Sequence, residues 1–123
     1  NLNELRDGLG LEAAAIAPEA IAKTVADFKA AQAFTGLFVT MSERGVYMDF
    51  EAEQIQIPAH IRQIADVSGA GDTVISIAAC ALAAGGSAAQ IAELANLGGG
   101  LVCESLGVVP IDVELLKREA GKI

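Results

Sequence analysis

The stretch Asp66-Val67-Ser68-Gly69-Ala70-Gly71-Asp72-Thr73 constrains this chain more than any other. It lies between an extended, β-like run ending near Ile64 and a long apolar run beginning near Ala70. Gly69 and Gly71 reach backbone angles closed to other residues and let a ligand come close to the main chain. A tight turn feeding a helix leaves the first N–H groups without intrahelical partners, and the helix dipole favours negative charge there. Such a corner is an anion site, most often for phosphate. Asp72 falls in the first turn of the same helix. Like charge keeps a carboxylate from ligating phosphate, so Asp72 reads as a proton acceptor, or as a metal contact through water.

Asp66-x-Ser68-Gly69-Ala70-Gly71-Asp72 resembles the C-terminal signature of the ribokinase-like (PfkB) sugar kinases, Asp-Thr-x-Gly-Ala-Gly-Asp. Val67 stands where Thr is commoner, and Thr73-Val74-Ile75 replaces the usual Ala-Phe. These departures, with Ile57-Pro58-Ala59-His60 upstream, resemble the heptose-phosphate kinase branch found in ADP-heptose synthases. The resemblance covers essentially the whole chain. It implies the C-terminal portion of a ribokinase-like α/β fold, a mixed sheet flanked by helices. It implies ATP and Mg²⁺ as cofactors, K⁺ as a candidate monovalent ion, and a sugar or sugar phosphate as acceptor.

Further residues take roles from the same resemblance. Asn1 and Glu4 match the family's Asn-x-x-Glu, which acts near the phosphates and Mg²⁺, with Glu4 reaching the metal through water. The same spacing is also a plain capping box at a helix start. Thr40-x-Ser42-x-x-Gly45 resembles the nucleotide motif Thr-x-Gly-x-x-Gly, and it also reads as a β-hairpin turn. Ser at position 42 replaces Gly and is expected to need a negative φ. Asp66 and Ser68 match a monovalent-cation site, and Asn96 matches a residue near the adenine pocket. Gly107 matches a glycine in the loop that follows. In the implied reaction Asp72 takes the sugar hydroxyl proton while the N–H groups of Gly69, Ala70 and Gly71 hold the transferring phosphoryl group.

The rest of the chain supplies a frame. Ile21, Val25 and Phe28 recur at helical spacing within a helix expected from Pro18 to about Ala33. Strands are expected at 37–41, 46–50, 54–57 and 61–65. Residues 70–84 are apolar on most sides, as in a central buried helix. Ser87 caps a helix through Val102, and Asp112 caps a last one to Lys122. Gly98-Gly99-Gly100 inside a helix costs about 1 kcal/mol per residue against Ala, so close approach of a neighbouring helix or a nucleotide must offset it. His60, the single histidine, reads as a surface or strand-edge residue with no nucleophile beside it.

Composition excludes several classes. A net charge of −8 and 4% aromatic residues disfavour nucleic acid and anionic membranes. A mean hydropathy of +0.47 and 53% hydrophobic residues indicate a globular domain. Cys80 and Cys103 read as buried free thiols, without ligand spacing for zinc. With no leader or spanning run in view, a cytoplasmic protein is expected. The chain begins at Asn1 and reaches the signature only past its midpoint, so a C-terminal fragment, inactive alone, is expected. A homodimer is one candidate assembly. The alternative to a kinase half is a nucleotide-binding or assembly module without catalysis. A dinucleotide-binding oxidoreductase does not fit, because Val74 stands where G-x-G-x-x-G needs its third glycine.

Overall fold

The computed structural model describes residues 1–60 and 62–123. Three antiparallel strands form the described sheet in the order β1 (Gly36–Thr40), β2 (Val46–Phe50), β3 (Glu53–Ile57). Register pairs Val39 with Tyr47 and Met48 with Ile55. Side chains alternate across a strand, and each face of this sheet therefore builds its own core. Val46 and Met48, with Phe38, Phe50, Ile55 and Ile57, pack toward α3 (Ala70–Ala83) and α4 (Ala88–Val102). Val39, Met41, Tyr47 and Leu37 pack toward α1 (Leu2–Leu9) and α2 (Ile21–Gln32). The result is a helix–sheet–helix sandwich, in line with the expected α/β class. A short α5 (Val113–Ala120), capped by the Asp112 carboxylate on the Leu115 N–H at 3.0 Å, closes the chain.

Local chemistry explains the element ends. Ser87 and Gln90 cap α4 reciprocally: the Gln90 N–H donates to the Ser87 hydroxyl at 3.3 Å, and the Ser87 N–H donates to the Gln90 side chain at 2.9 Å. In α2, Ile21 and Val25 are buried and Phe28 is half-buried, as their spacing predicts. Pro18 lies in the turn before α2 rather than in its first turn.

Four expectations need correction. Residues 62–65 belong to no strand, and Ile61 lies outside the described residues. The Ala65 and Asp66 N–H groups donate to the Cys103 carbonyl at the end of α4, at 2.8 and 3.2 Å, instead of to a neighbouring strand. The described strands are all antiparallel, so they supply none of the parallel pairing that a mixed sheet requires. Helix α3 is not buried on most sides. It turns Val74 and Ala78 inward while Ile75 is 63% and Leu82 50% exposed. Cys80 shares that open face; only Cys103 is buried.

Candidate active site

The loop from β1 to β2 sets one wall of the site. Met41 donates its N–H to the Gly45 carbonyl at 2.8 Å, closing a tight hairpin with a single 3₁₀ turn at 42–44. Gly45 has φ 84° and ψ −133°, and a Cβ there would lie 1.9 Å from the Ile57 carbonyl oxygen. Only glycine lets the turn press against the chain leaving β3. Ser42 has φ 51°, against the expectation of a negative angle. The turn imposes the left-handed conformation that the usual glycine would take freely, and Ser adopts it at a cost of about 1–2 kcal/mol.

The second wall is the corner before α3. Gly69 caps the helix with φ 76°, and a Cβ on it would meet Val108 Cγ1 at 2.9 Å. Among the described residues no acceptor takes the Gly69 or Gly71 N–H. The Ala70 N–H donates to the Val67 carbonyl at 3.2 Å, so it is engaged inside the turn, unlike its two neighbours. Asp66 shapes this corner. Its Oδ1 accepts from the Ser68 N–H at 2.9 Å and from the Ser68 hydroxyl at 2.7 Å, and its Oδ2 accepts from the Gly107 N–H at 2.9 Å. These donors, the Ser68 hydroxyl first, lower the Asp66 pKa to about 2. The carboxylate thus clamps residues 66–68 to the loop at 107. The side chains of Asp66 and Ser68 thus form the clamp, and the carbonyls of this corner are what a monovalent-cation site there would use.

The third wall is α4. Asn96, Gly99, Gly100 and Cys103 recur on one helical face. A Cβ on Gly98 would lie 2.1 Å from Ile77 Cδ1, and one on Gly99 would lie 2.6 Å from Val74 Cγ2. Close approach of α3 to α4 is therefore what offsets the helical glycines there. Gly100 faces the Arg62 side chain instead, at 3.3 Å from Cδ. Asn96 is buried, and its Nδ2 donates to the Pro58 carbonyl at 2.9 Å. It ties α4 to the same segment that Gly45 touches.

These walls enclose a cavity of about 350 Å³ lined in part by Thr40, Ser42, Glu43, Gly45, Gly71 and Asn96. That size lies at the small end of ligand pockets. Five residues singled out in the sequence for nucleotide or phosphate are thereby brought together. Glu43, His60, Val67 and Cys103 also line it. His60 is thus a cavity residue, not a strand-edge one. Burial, then the Asp66 charge, pushes the Cys103 thiol up. The 96–99–103 helical spacing carried the signal for the third wall; His60 stood out only as the single histidine and within Ile57-Pro58-Ala59-His60, and nothing in the sequence singled out Glu43. Asp72 stands exposed one residue beyond Gly71 and does not line the cavity. Asn1 and Glu4 do not line it either. The Asn1 Oδ1 accepts from the Glu4 N–H at 3.0 Å, and the Glu4 carboxylate accepts from the Asn1 nitrogen at 2.6 Å, a capping box on α1. No three metal-ligating side chains cluster among the described residues.

A turn and a helix corner bordering one cavity, beside a sheet covered by helices, define an α/β domain whose helix corner has the geometry of an anion site. The family model described as pfkB family carbohydrate kinase matches residues 1–114, and the chain belongs to that family. It is 41% identical over 91 residues to the Bifunctional protein HldE of Coxiella burnetii (strain Dugway 5J108-111), covering 73% of this chain and 19% of that protein. It is 45% identical over 83 residues to the Bifunctional protein HldE of Azotobacter vinelandii, covering 67% of this chain and 18% of that protein. The chain thus spans under a fifth of these curated relatives. Among solved structures it is similar to phosphofructokinase-2 from Escherichia coli in complex with substrates and products. There the TM-score is 0.88 at 16% identity, covering 99% of this chain and 39% of that one. A ribokinase from Cryptococcus neoformans var. grubii serotype A in complex with ADP gives 0.77 at 21% identity, covering 97% and 42%. These structural likenesses establish the ribokinase-like fold. No described helix is long and apolar enough to cross a membrane.

Proposed function

We propose that this chain is the nucleotide-binding part of an ATP-dependent carbohydrate kinase acting on a sugar phosphate of the heptose class. The observation that carries the reading is the shared cavity: the 40–45 turn, the Gly71 corner and the Asn96 face of α4 meet there. The identity to the HldE proteins supports the heptose class. The ADP of the ribokinase complex supports a nucleotide.

In this reading ATP lies in the cavity with its γ-phosphate toward the free N–H groups of Gly69 and Gly71. Those amides and the α3 dipole stabilise charge developing on the transferring phosphoryl group. The exposed Asp72 faces the acceptor side and takes the hydroxyl proton as the hydroxyl attacks in line. Mg²⁺ would be held by the phosphates themselves, with Glu4 the candidate contact through water; the metal would neutralise phosphate charge. K⁺ would be held at this corner largely by main-chain carbonyls around Asp66 and Ser68, whose side chains bond protein donors and shape the corner.

Asp72→Asn in the full-length protein is expected to cut turnover by orders of magnitude and leave ATP affinity within about twofold. Steady-state kinetics beside calorimetry measures both. Unchanged turnover removes Asp72 from the reaction and favours a nucleotide-binding module without catalysis.

A further inference from the structure

We propose that Arg62 is a positioning residue for the Gly69–Gly71 corner: it staples the segment leading into that corner to the loop after α4 and to α5. This rests on the kinase reading above. Two stretches, 62–69 and 103–108, are joined rung by rung. The Arg62 Nη1 donates to Glu104 Oε1 at 2.9 Å. The Ala65 and Asp66 N–H groups donate to the Cys103 carbonyl. The Gly107 N–H donates to Asp66 Oδ2, and Val108 packs where a Gly69 Cβ would stand. Each rung after Arg62 lies nearer the corner along the chain, and the last is at the corner itself. Arg62 supplies the only ion pair between the two stretches among the described residues.

Packing does not explain why this residue is an arginine. Its side chain is 17% exposed, and its Nε is buried with no partner among the described residues. Burying a guanidinium N–H in that way is costly, and an apolar side chain would escape the cost. An apolar side chain could not grip two carboxylates. The guanidinium is a rigid fork. Its Nη2 lies 3.8 Å from Glu119 Oε2 on α5 while Nη1 holds Glu104. Gly100 makes room for the stem: a Cβ there would stand 3.3 Å from Arg62 Cδ. Arg62 thereby ties α4, its following loop and α5 to the segment that ends at the corner. It does not line the cavity, so it acts through the corner and not on the ligand. Amides that stabilise a transferring group depend on exact placement. Loosening them costs turnover more than it costs nucleotide affinity in the ground state.

Steady-state kinetics of the full-length protein with ATP, Mg²⁺ and a heptose 7-phosphate, beside calorimetry with ATP and Mg²⁺, tests this on Arg62→Gln, Glu104→Ala and the double variant. Arg62→Gln is expected to lower kcat about tenfold and to leave ATP affinity within about twofold. Glu104→Ala is expected to lower kcat too, and to lower it no further once residue 62 has been changed. Without ligand, hydrogen exchange at the Ala70 and Gly107 amides is expected to run about tenfold faster in Arg62→Gln than in wild type. An unchanged kcat overturns the assignment, even beside a lower melting temperature, because Arg62 then serves the fold alone. So does a loss of ATP affinity as large as the loss of kcat, which makes Arg62 a support of the cavity and not of the corner. Additive losses in the double variant overturn it as well, because they break the pair. Should Arg62→Gln not fold, Glu104→Ala decides by the same measurements. A wild type without turnover overturns the kinase reading itself, and the staple then stands or falls on exchange at Ala70 and Gly107.

Discussion

At Gly45 the margin for change is set by backbone, not by side chains that can move. The Ile57 carbonyl, the Ala59 nitrogen and the Pro58 carbonyl carbon all lie within 2.6 Å of where a Cβ would stand. Gly45→Ala is expected to cost about 3 kcal/mol or more, read from the urea unfolding midpoint, because φ and space both forbid it. A loss below about 0.5 kcal/mol would mean that the turn is not seated on β3 as described. Asp66 gives a pH-dependent counterpart. Its folded pKa is about 2 against an ordinary 3.8, so the group binds protons less readily when folded. The stability it contributes is present above 3.8 and is lost as pH falls through about 2. Thermal melting across that window is expected to fall less steeply for Asp66→Asn than for wild type; parallel profiles would deny the clamp. Residue chemistry was partly legible in the sequence. The Asn1–Glu4 spacing announced a capping box, and a capping box formed. Ser42 was misjudged, because the φ at 42 is set by where β1 and β2 must pair, which side-chain size does not reveal.

Helices α3 and α4 approach through Gly98 and Gly99, and Val74 Cγ2 fills the notch at Gly99. Ala in place of Gly within a helix gains about 1 kcal/mol of propensity. Against that stands the 2.6 Å contact with a β-branched side chain that has few rotamers to move into. Gly99→Ala is expected to lose about 1–2 kcal/mol overall in wild type. In a Val74→Ala background it is expected to be neutral or stabilising. A double-mutant cycle by urea unfolding measures the coupling, and equal losses in both backgrounds would contradict the packing. Elements bounded by local rules were the readable ones. Strand β2 falls at the expected 46–50 because its side chains serve two cores in alternation, and α4 starts at its Ser87 cap. The helix α3 was placed correctly but its surroundings were not. Apolar composition states what a helix would bury, not which face meets a neighbour, and Ile75 and Leu82 stay half or more exposed among the described residues. The 61–65 run failed for a related reason. Its amides turn to the carbonyl at the end of α4, a long-range partner that no local pattern encodes.

Across the whole chain, the sheet keeps two cores apart and the helix corner, hairpin turn and α4 face converge at one cavity. The corner and the turn were each readable because their glycines answer to local backbone demands. Their meeting was not, since it depends on Asn96 reaching Pro58 across 38 positions and on Asp66 reaching Gly107 across 41. Asn96 fixes the segment next to the cavity residue Ala59, and Asp66 fixes the segment next to the cavity residue Val67. Hydrogen–deuterium exchange of the full-length protein with and without ATP and Mg²⁺ tests the central claim, that this cavity is where the nucleotide sits. Amides of 42–45 and 69–72 are expected to gain protection together, with those of 96–100 following and α1 amides beyond the Asn1–Glu4 cap unchanged. ATP binding that leaves both 42–45 and 69–72 exchanging as before would contradict it.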